Sequence, residues 1–364
     1  MKRRTASRRE VLVGIGAATG IAACGSGTGD GGAKLGVAVV GIGNLSLGQI
    51  IPALQNTERC RLMGLVSSST EKLRDVGTRY DVPASRQFTY DNFERIADDP
   101  DIEAVYIALP NALHAEYAIR AAQAGKHVFC EKPLGVSVEQ CNAMIAASNA
   151  ADKYLGVAYR LLFDPHHLEM IRLTREQTYG PVQIIHAEIG FPVDDDWRLN
   201  RELAGGGALI EQGIYAVNAA RNMFAEDPIQ VMAHESKTDR SRFSEVEESV
   251  FWTMAFPGGG IAHCAASYTV RMNRLWAGAV NGEFGLAPAY DYDGIRGDST
   301  GGAISYSDQD QFATQLDEFA RSIQQNLPLG KISAEEGLKD VTVIRAIYES
   351  IRQGESVRLS ASLG

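Results

Sequence analysis

From Leu35 to Leu54 the chain reads LGVAVVGIGNLSLGQIIPAL. Six small or apolar residues, three of them valine, end on Gly41-Ile42-Gly43, and a helix-forming run begins at Leu47. A strand, a glycine turn and a helix in that order leave few folds open: the strand belongs in a covered parallel sheet, with the helix packed across it. The two glycines let main chain approach a pyrophosphate, whose charge the helix N-terminus then meets. The usual third glycine is missing, because Ser46 stands there and Gly48 comes two residues later. On these residues alone, a dinucleotide cradle and a plain tight turn are both open.

The pattern then repeats. A second strand, Leu62 to Val66, ends on SSSTEK (Ser67 to Lys72) rather than on an acid. Hydroxyls and a lysine suit the 2′-phosphate of NADP, where Asp or Glu would suit the free ribose of NAD. A serine-rich helix cap with Lys72 solvated is the other reading. Further strands are expected at Ala104 to Pro110, Lys126 to Pro133 and Tyr154 to Tyr159. Helices are expected at Ala112 to Ala124 and Val138 to Ala150, the second opened by a Ser137/Gln140 capping box. Alternation of this kind implies a Rossmann-type, doubly wound α/β sheet over residues 35–158, with ligands at the strands' C-terminal ends, where Pro110, Asn111 and Lys132 fall.

Beyond Arg160 the strands lengthen and pair as hairpins. Pro181 to Phe191, Pro228 to Ser236 and Ser249 to Tyr268, the last turning at Gly258 to Gly260, predict an open, mainly antiparallel sheet. Helices at Gln311 to Gln324 and Ala334 to Gln353 complete an α+β domain for substrate and oligomerisation over residues 159–364. A length of 364 residues suits two such domains.

Charge narrows the partners. The net charge is −10, and the first 24 residues hold five basic residues against one acid, so the remainder carries −14. An acidic body argues against nucleic acid and leaves small molecules as the expected partners. Cys60, Cys130, Cys141 and Cys264 show no short spacing and read as buried thiols, with no disulfide framework or metal knuckle. The leader, residues 1–24, carries Arg8-Arg9 before the apolar run Val11 to Ala23, which is too short and too glycine-rich to span a bilayer. It reads as a twin-arginine export signal, with periplasmic residence expected. Ile21 to Cys24 also fits a lipoprotein box that would acylate Cys24, beside ordinary cleavage near the same alanines. Residues 25–34 form a flexible linker.

One segment carries chemistry: RELAGGGALIEQGIY, Arg201 to Tyr215. Glu211 and Tyr215 are four apart and share a face on a helix. A tyrosine passes a proton to or from a carbinol oxygen when a nearby cation lowers its pKa, and Lys132 could supply that cation. A core tyrosine with a satisfied hydroxyl is the other reading.

Together GIGNLSLGQIIPAL, LPNALHAEYAIRAAQAGKHVFCEKP, YRLLFDP, WRLNRELAGGG, EQGIY and EEGLKDVTVIRAIYE resemble the glucose-fructose oxidoreductase and inositol dehydrogenase family, from about Leu35 to the final helix. The resemblance implies a sugar oxidoreductase with tightly bound NADP, and no metal. It puts Gly41, Gly43, Asn44, Leu45, Ser67, Lys72, Pro110, Asn111, His114, Glu131 and Lys132 on the cofactor. Lys132 and Tyr215 would be catalytic, with Glu211 where relatives carry Asp. Tyr159, Arg160 and Arg198 would line or brace the sugar site, though they also read as structural ion-pair members. A homodimer or homotetramer through the open sheet face is implied as well. The long proline-rich arm of glucose-fructose oxidoreductase is replaced here by the glycine linker. Export of a folded protein with its cofactor leads to a closed cycle, in which one sugar is oxidised and a second carbonyl compound reduced in one site. The rivals are a dehydrogenase with exchangeable NAD(P), an NAD-dependent glycoside hydrolase, and a non-catalytic nucleotide-binding scaffold.

Overall fold

The computed structural model of the protein describes residues 33–360; the segment read as a twin-arginine leader, Cys24 and most of the expected linker lie outside the described residues. The first domain runs β1 (Leu35–Val40), α1 (Ile51–Asn56), β2 (Cys60–Val66), α2 (Thr70–Arg79), β3 (Gln87–Phe88), β4 (Ala104–Ile107), α3 (His114–Gln123), β5 (His127–Glu131), α4 (Val138–Ala150) and β6 (Leu155–Ala158). Its six strands are parallel in the order β3-β2-β1-β4-β5-β6. β1, β4 and β6 are buried at every position, as strands covered on both faces must be. The order reverses between β1 and β4, and ligands bind at such a crevice.

The cap of α4 departs from expectation in one detail. Ser137 Oγ accepts from the Gln140 N–H at 3.2 Å, but the Gln140 side chain accepts from the Val136 N–H at 2.9 Å, so the return bond falls one residue early.

The second domain follows as α5 (Pro165–Arg175), β7 (Val182–Gly190), α6 (Arg201–Ala204), α7 (Ile214–Phe224), β8 (Gln230–Ser236), β9 (Ser249–Ala255), β10 (Ile261–Ser267), β11 (Met272–Ala279), β12 (Gly282–Leu286), β13 (Gly297–Ser299) and β14 (Gly302–Ile304). It closes with α8 (Gln311–Gln325), α9 (Ala334–Gln353) and β15 (Val357–Arg358). The nine strands run β14-β13-β12-β11-β7-β10-β9-β8-β15. Every pair is antiparallel except β7 with β10, which pair in parallel at the middle of the sheet. Hairpin signals could not reveal that pair: its connection passes through α6, α7 and the β8–β9 hairpin, a crossover long enough to reverse direction.

Two late helices bind the domains together. α8 returns to the first sheet, where Phe319 stacks on Phe129 with ring centres 4.6 Å apart. Its Asp317 carboxylate accepts from the Glu58 and Arg59 N–H groups at 2.9 and 2.8 Å. α9 packs on the first domain where Gly337 meets Leu134 and Val157, and the buried Arg221–Asp340 pair, 2.5 Å apart, fixes it to α7 of its own domain. The four cysteines expected to be core thiols are buried and unpaired, and burial pushes each thiol pKa up.

Candidate active site

The nucleotide end is built at the turn after β1. Gly41 has φ +96°, and a Cβ there would lie 2.3 Å from the Ala108 carbonyl oxygen, so only glycine passes the end of β4. At Gly43 a Cβ would meet nothing within 4 Å, which leaves its main chain open to a ligand. Ser46 explains the missing third glycine: fully buried, it donates its hydroxyl to the Gly41 carbonyl at 2.5 Å and ties the turn from inside. The Ser46–Ile50 segment is a π-helical turn leading into α1, and Asn44, Leu45 and Gly48 line the cleft in front of it.

Lys72 on α2 reaches back to donate to the Ile42 carbonyl at 3.0 Å, so its ammonium stands at the glycine turn. Ser69, not Ser67, caps α2 by accepting from the Lys72 N–H at 3.2 Å. Ser67 is buried at the end of β2 and accepts from the Ser69 N–H at 3.2 Å. The cap uses Ser69 alone, and Lys72 is held at the turn rather than left wholly to solvent. An open glycine, a lysine at the turn and a serine rather than an acid at the end of β2 fit the phosphates of NADP.

The chemical end draws on both domains. Lys132, just past β5, donates to the Glu211 carbonyl oxygen at 2.6 Å; its Nζ lies 3.8 Å from the Glu211 carboxylate and 4.8 Å from the centre of the Tyr215 ring. Arg198 Nε stands 3.6 Å from the same carboxylate. Glu211 sits in a second π turn, Leu209–Gly213, and Tyr215 in the first turn of α7. Glu247 secures that turn, accepting from the Leu209 N–H at 3.0 Å and the Tyr348 hydroxyl at 2.7 Å. The run of glycines before it has a steric cause, since a Cβ on Gly207 would lie 2.3 Å from the Glu247 carbonyl oxygen. Gln212 clamps Phe191 through both its N–H and its carbonyl, each at 3.0 Å. Beneath them Glu131 accepts from the Tyr106 hydroxyl at 2.6 Å, and burial pushes its pKa up. Lys132, Tyr215, Glu211, Glu131, Arg160 and Arg198 all face one cleft of about 1040 Å³ that opens past Asn44 and Leu45.

Residues 35–159 match a family model described as an oxidoreductase family with an NAD-binding Rossmann fold, and residues 167–287 match the GFO/IDH/MocA C-terminal domain. A crystal structure of aldose-aldose oxidoreductase from Caulobacter crescentus, complexed with glycerol, is 40% identical with a TM-score of 0.87, covering 90% of this chain and all of that one. The chain belongs to the GFO/IDH/MocA oxidoreductase family. Curated relatives include the D-xylose 1-dehydrogenase (NADP(+)) of Haloarcula marismortui, 28% identical over 334 residues, 88% of this chain and 92% of its own. The 1,5-anhydro-D-fructose reductase of Ensifer adhaerens is 28% identical over 236 residues, 64% of this chain and 69% of its own.

Within this GFO/IDH/MocA frame several expectations need correction. Of the two roles expected for Tyr159, lining is excluded and bracing stays open: it is 1% exposed, and burial and the Asp340 carboxylate raise its pKa. His114 does not face a cofactor either. It is fully buried between the loops after β4 and β5, with Nδ1 2.7 Å from the Pro133 carbonyl and Nε2 3.0 Å from the Leu109 carbonyl, and as a neutral ring it donates to one of the two. Asn111 donates its amide to the Ala204 carbonyl at 3.0 Å and joins the first domain to α6, while Pro110 precedes it at the head of that turn.

Lys132 is not the one cation at Tyr215. Burial pushes the tyrosine's pKa up to about 12 against the opposing Arg160, whose guanidinium lies 5.5 Å from the ring centre. Arg160 is itself buried, anchored on the Tyr290 and Asp291 carbonyls at 2.5 and 3.0 Å. The loop that receives it, Tyr290 to Asp293, went unread in the sequence because YDYD carries neither strand nor helix periodicity. Alternating aromatic and acidic residues were the available signal.

Proposed function

We propose that this protein is an exported sugar oxidoreductase that holds NADP tightly, oxidises an aldose and reduces a second sugar or carbonyl compound in the same cleft. The observation that carries the reading is the meeting of Lys132, Glu211 and Tyr215 from two domains at the C-terminal end of the glycine-turn sheet. NADP, when bound, supplies the acceptor for a hydride from a sugar carbon and the donor of one to a carbonyl carbon. Gly41, Gly43, Ser67 and Lys72 would hold its phosphates, with Asn44, Leu45, Pro110 and Glu131 along the rest of the crevice.

Tyr215 moves the proton. With a pKa near 12 it is protonated at neutral pH and ready to donate to a carbonyl oxygen. Donation leaves a tyrosinate whose charge Arg160 and Lys132 offset, and in the oxidation half of the cycle that tyrosinate takes the hydroxyl proton of the aldose, so the protonated tyrosine is restored. One sugar leaves as its lactone, short of two hydrogens, and the second carbonyl compound leaves as an alcohol that has gained them.

The 40% identity to an aldose-aldose oxidoreductase supports two sugars in one site. The Arg8-Arg9 leader supports export, with Cys24 as a lipidation point, and Phe251 and Ile261, 53% and 41% exposed on the outer sheet face, support a homo-oligomer there. A dehydrogenase with exchangeable cofactor is the second reading, favoured by the relative named D-xylose 1-dehydrogenase (NADP(+)). Purified enzyme given NADP+ with D-glucose or D-xylose should develop the nicotinamide absorbance of the reduced form. Failure of every aldose and ketose tested would overturn both readings.

A further inference from the structure

The outer half of the cleft has its own charge pattern. The cations are already engaged: Lys132 on the Glu211 carbonyl, Arg160 on two main-chain carbonyls, and Arg198 on Asp196 at 2.6 Å. Asp194, Asp291, Asp293, Asp308 and Asp310 line the same cleft, and among the described residues none of the five has a Lys, Arg or His nitrogen within 4.0 Å. Their side chains take bonds from neutral donors alone: Asp291 from Asn273 at 2.8 Å, Asp308 from the Gly294 N–H at 3.0 Å, and Asp310 from the Ala313 N–H and Asn56 at 2.9 and 3.0 Å. Their charge is therefore left facing the mouth.

Among them stands Tyr292, also lining the cleft and 49% exposed. Arg160 lies over its ring 4.6 Å from the centre, and Phe312 packs against it with ring centres 5.6 Å apart. The ring is fixed in place while nearly half its surface stays open. Since Arg160 also contacts Tyr215, one buried guanidinium positions both the proton-transfer tyrosine and this exposed one.

We propose that the cleft selects an uncharged sugar ring laid against Tyr292 and turns away phosphorylated and acidic sugars at its aspartate-lined mouth; this rests on the sugar oxidoreductase reading above. The C–H face of a pyranose is apolar and packs on an aromatic face, as an offset aromatic partner does. A phosphate brings negative charge among carboxylates that no free cation offsets, and a repulsion of this kind at close range screens only partly over a Debye length of about 8 Å.

The test uses the full-length enzyme with NADP+ and with D-fructose as the hydride acceptor, and compares kcat/KM for D-glucose and D-glucose 6-phosphate in low and high salt. The free sugar should be favoured by about 100-fold at low ionic strength, with the gap shrinking as salt is raised. The Asp293→Asn/Asp308→Asn double variant should narrow the same ratio by about 5-fold. Tyr292→Leu should raise KM for D-glucose by about 10-fold with a much smaller change in kcat, and Tyr292→Phe should restore it. Equal use of the two sugars, or a ratio indifferent to salt and to the aspartates, overturns the charge selection while leaving the oxidoreductase reading intact. A Tyr292→Leu enzyme with unaltered KM removes the platform. An enzyme that oxidises neither sugar overturns the underlying reading, and this proposal with it.

Discussion

At Tyr215 burial and cations pull in opposite directions, and burial wins, leaving the hydroxyl protonated across the physiological range. Reduction should therefore be nearly flat between about pH 6 and pH 9, while oxidation, which needs the proton taken up, should rise with pH over the same span. A pH profile in each direction checks this. Tyr215→Phe should lower kcat by about 10²- to 10⁴-fold with nucleotide affinity retained in a fluorescence titration. His114 makes a separate expectation about stability. Its pKa falls from 6.5 to about 4 through burial, so the unfolded chain binds the proton more readily than the folded one. Its contribution, roughly 3 kcal/mol, is fully present above pH 6.5 and lost as the pH falls toward 4. Denaturation midpoints measured across that window should drop in the wild type and drop less in His114→Gln. Lys132, Glu211 and Tyr215 were legible because their segments are distinctive in sequence. The roles of Tyr159 and His114 were not, since the direction of a buried side chain is set by partners such as Asp340 and Pro133 that lie far off in the chain.

Among the elements, two π turns frame the cleft, Ser46–Ile50 at the nucleotide end and Leu209–Gly213 at the catalytic end. Such turns insert a residue into a helix and often re-aim side chains at functional sites. Neither was readable, because a single wide turn barely disturbs hydrophobic periodicity. β1, β2 and β5 to β10 were readable to within two residues, whereas β11 and β12 went unread and β3, β13 and β14 have only two or three residues each and leave no pattern. The glycine turn offers the sharpest test at this scale. Gly41→Ala forces a Cβ at φ +96° to within 2.3 Å of the Ala108 oxygen. It should cost about 1–3 kcal/mol in chemical denaturation and weaken NADP binding by calorimetry. Gly43→Ala, whose Cβ meets nothing nearby, should spare stability and lower nucleotide affinity alone.

For the whole molecule, the cleft exists because α8 and α9 fasten the second domain to the first, α8 through Phe319 and Asp317 and α9 where Gly337 packs on Leu134 and Val157. The outer sheet face, with Ile184, Phe251 and Ile261 exposed at 39%, 53% and 41%, should be buried between copies. Phe251→Asp should then move the light-scattering mass to that of a monomer. The central claim is a resident cofactor cycling between two sugars, and one measurement reaches it most directly. The mature protein is dialysed exhaustively, and the nicotinamide absorbance band is followed while glucose and then fructose are added with no nucleotide supplied. A band that rises with the first sugar and falls with the second is the expected result; a nucleotide-free protein that responds only to added NADP would contradict it.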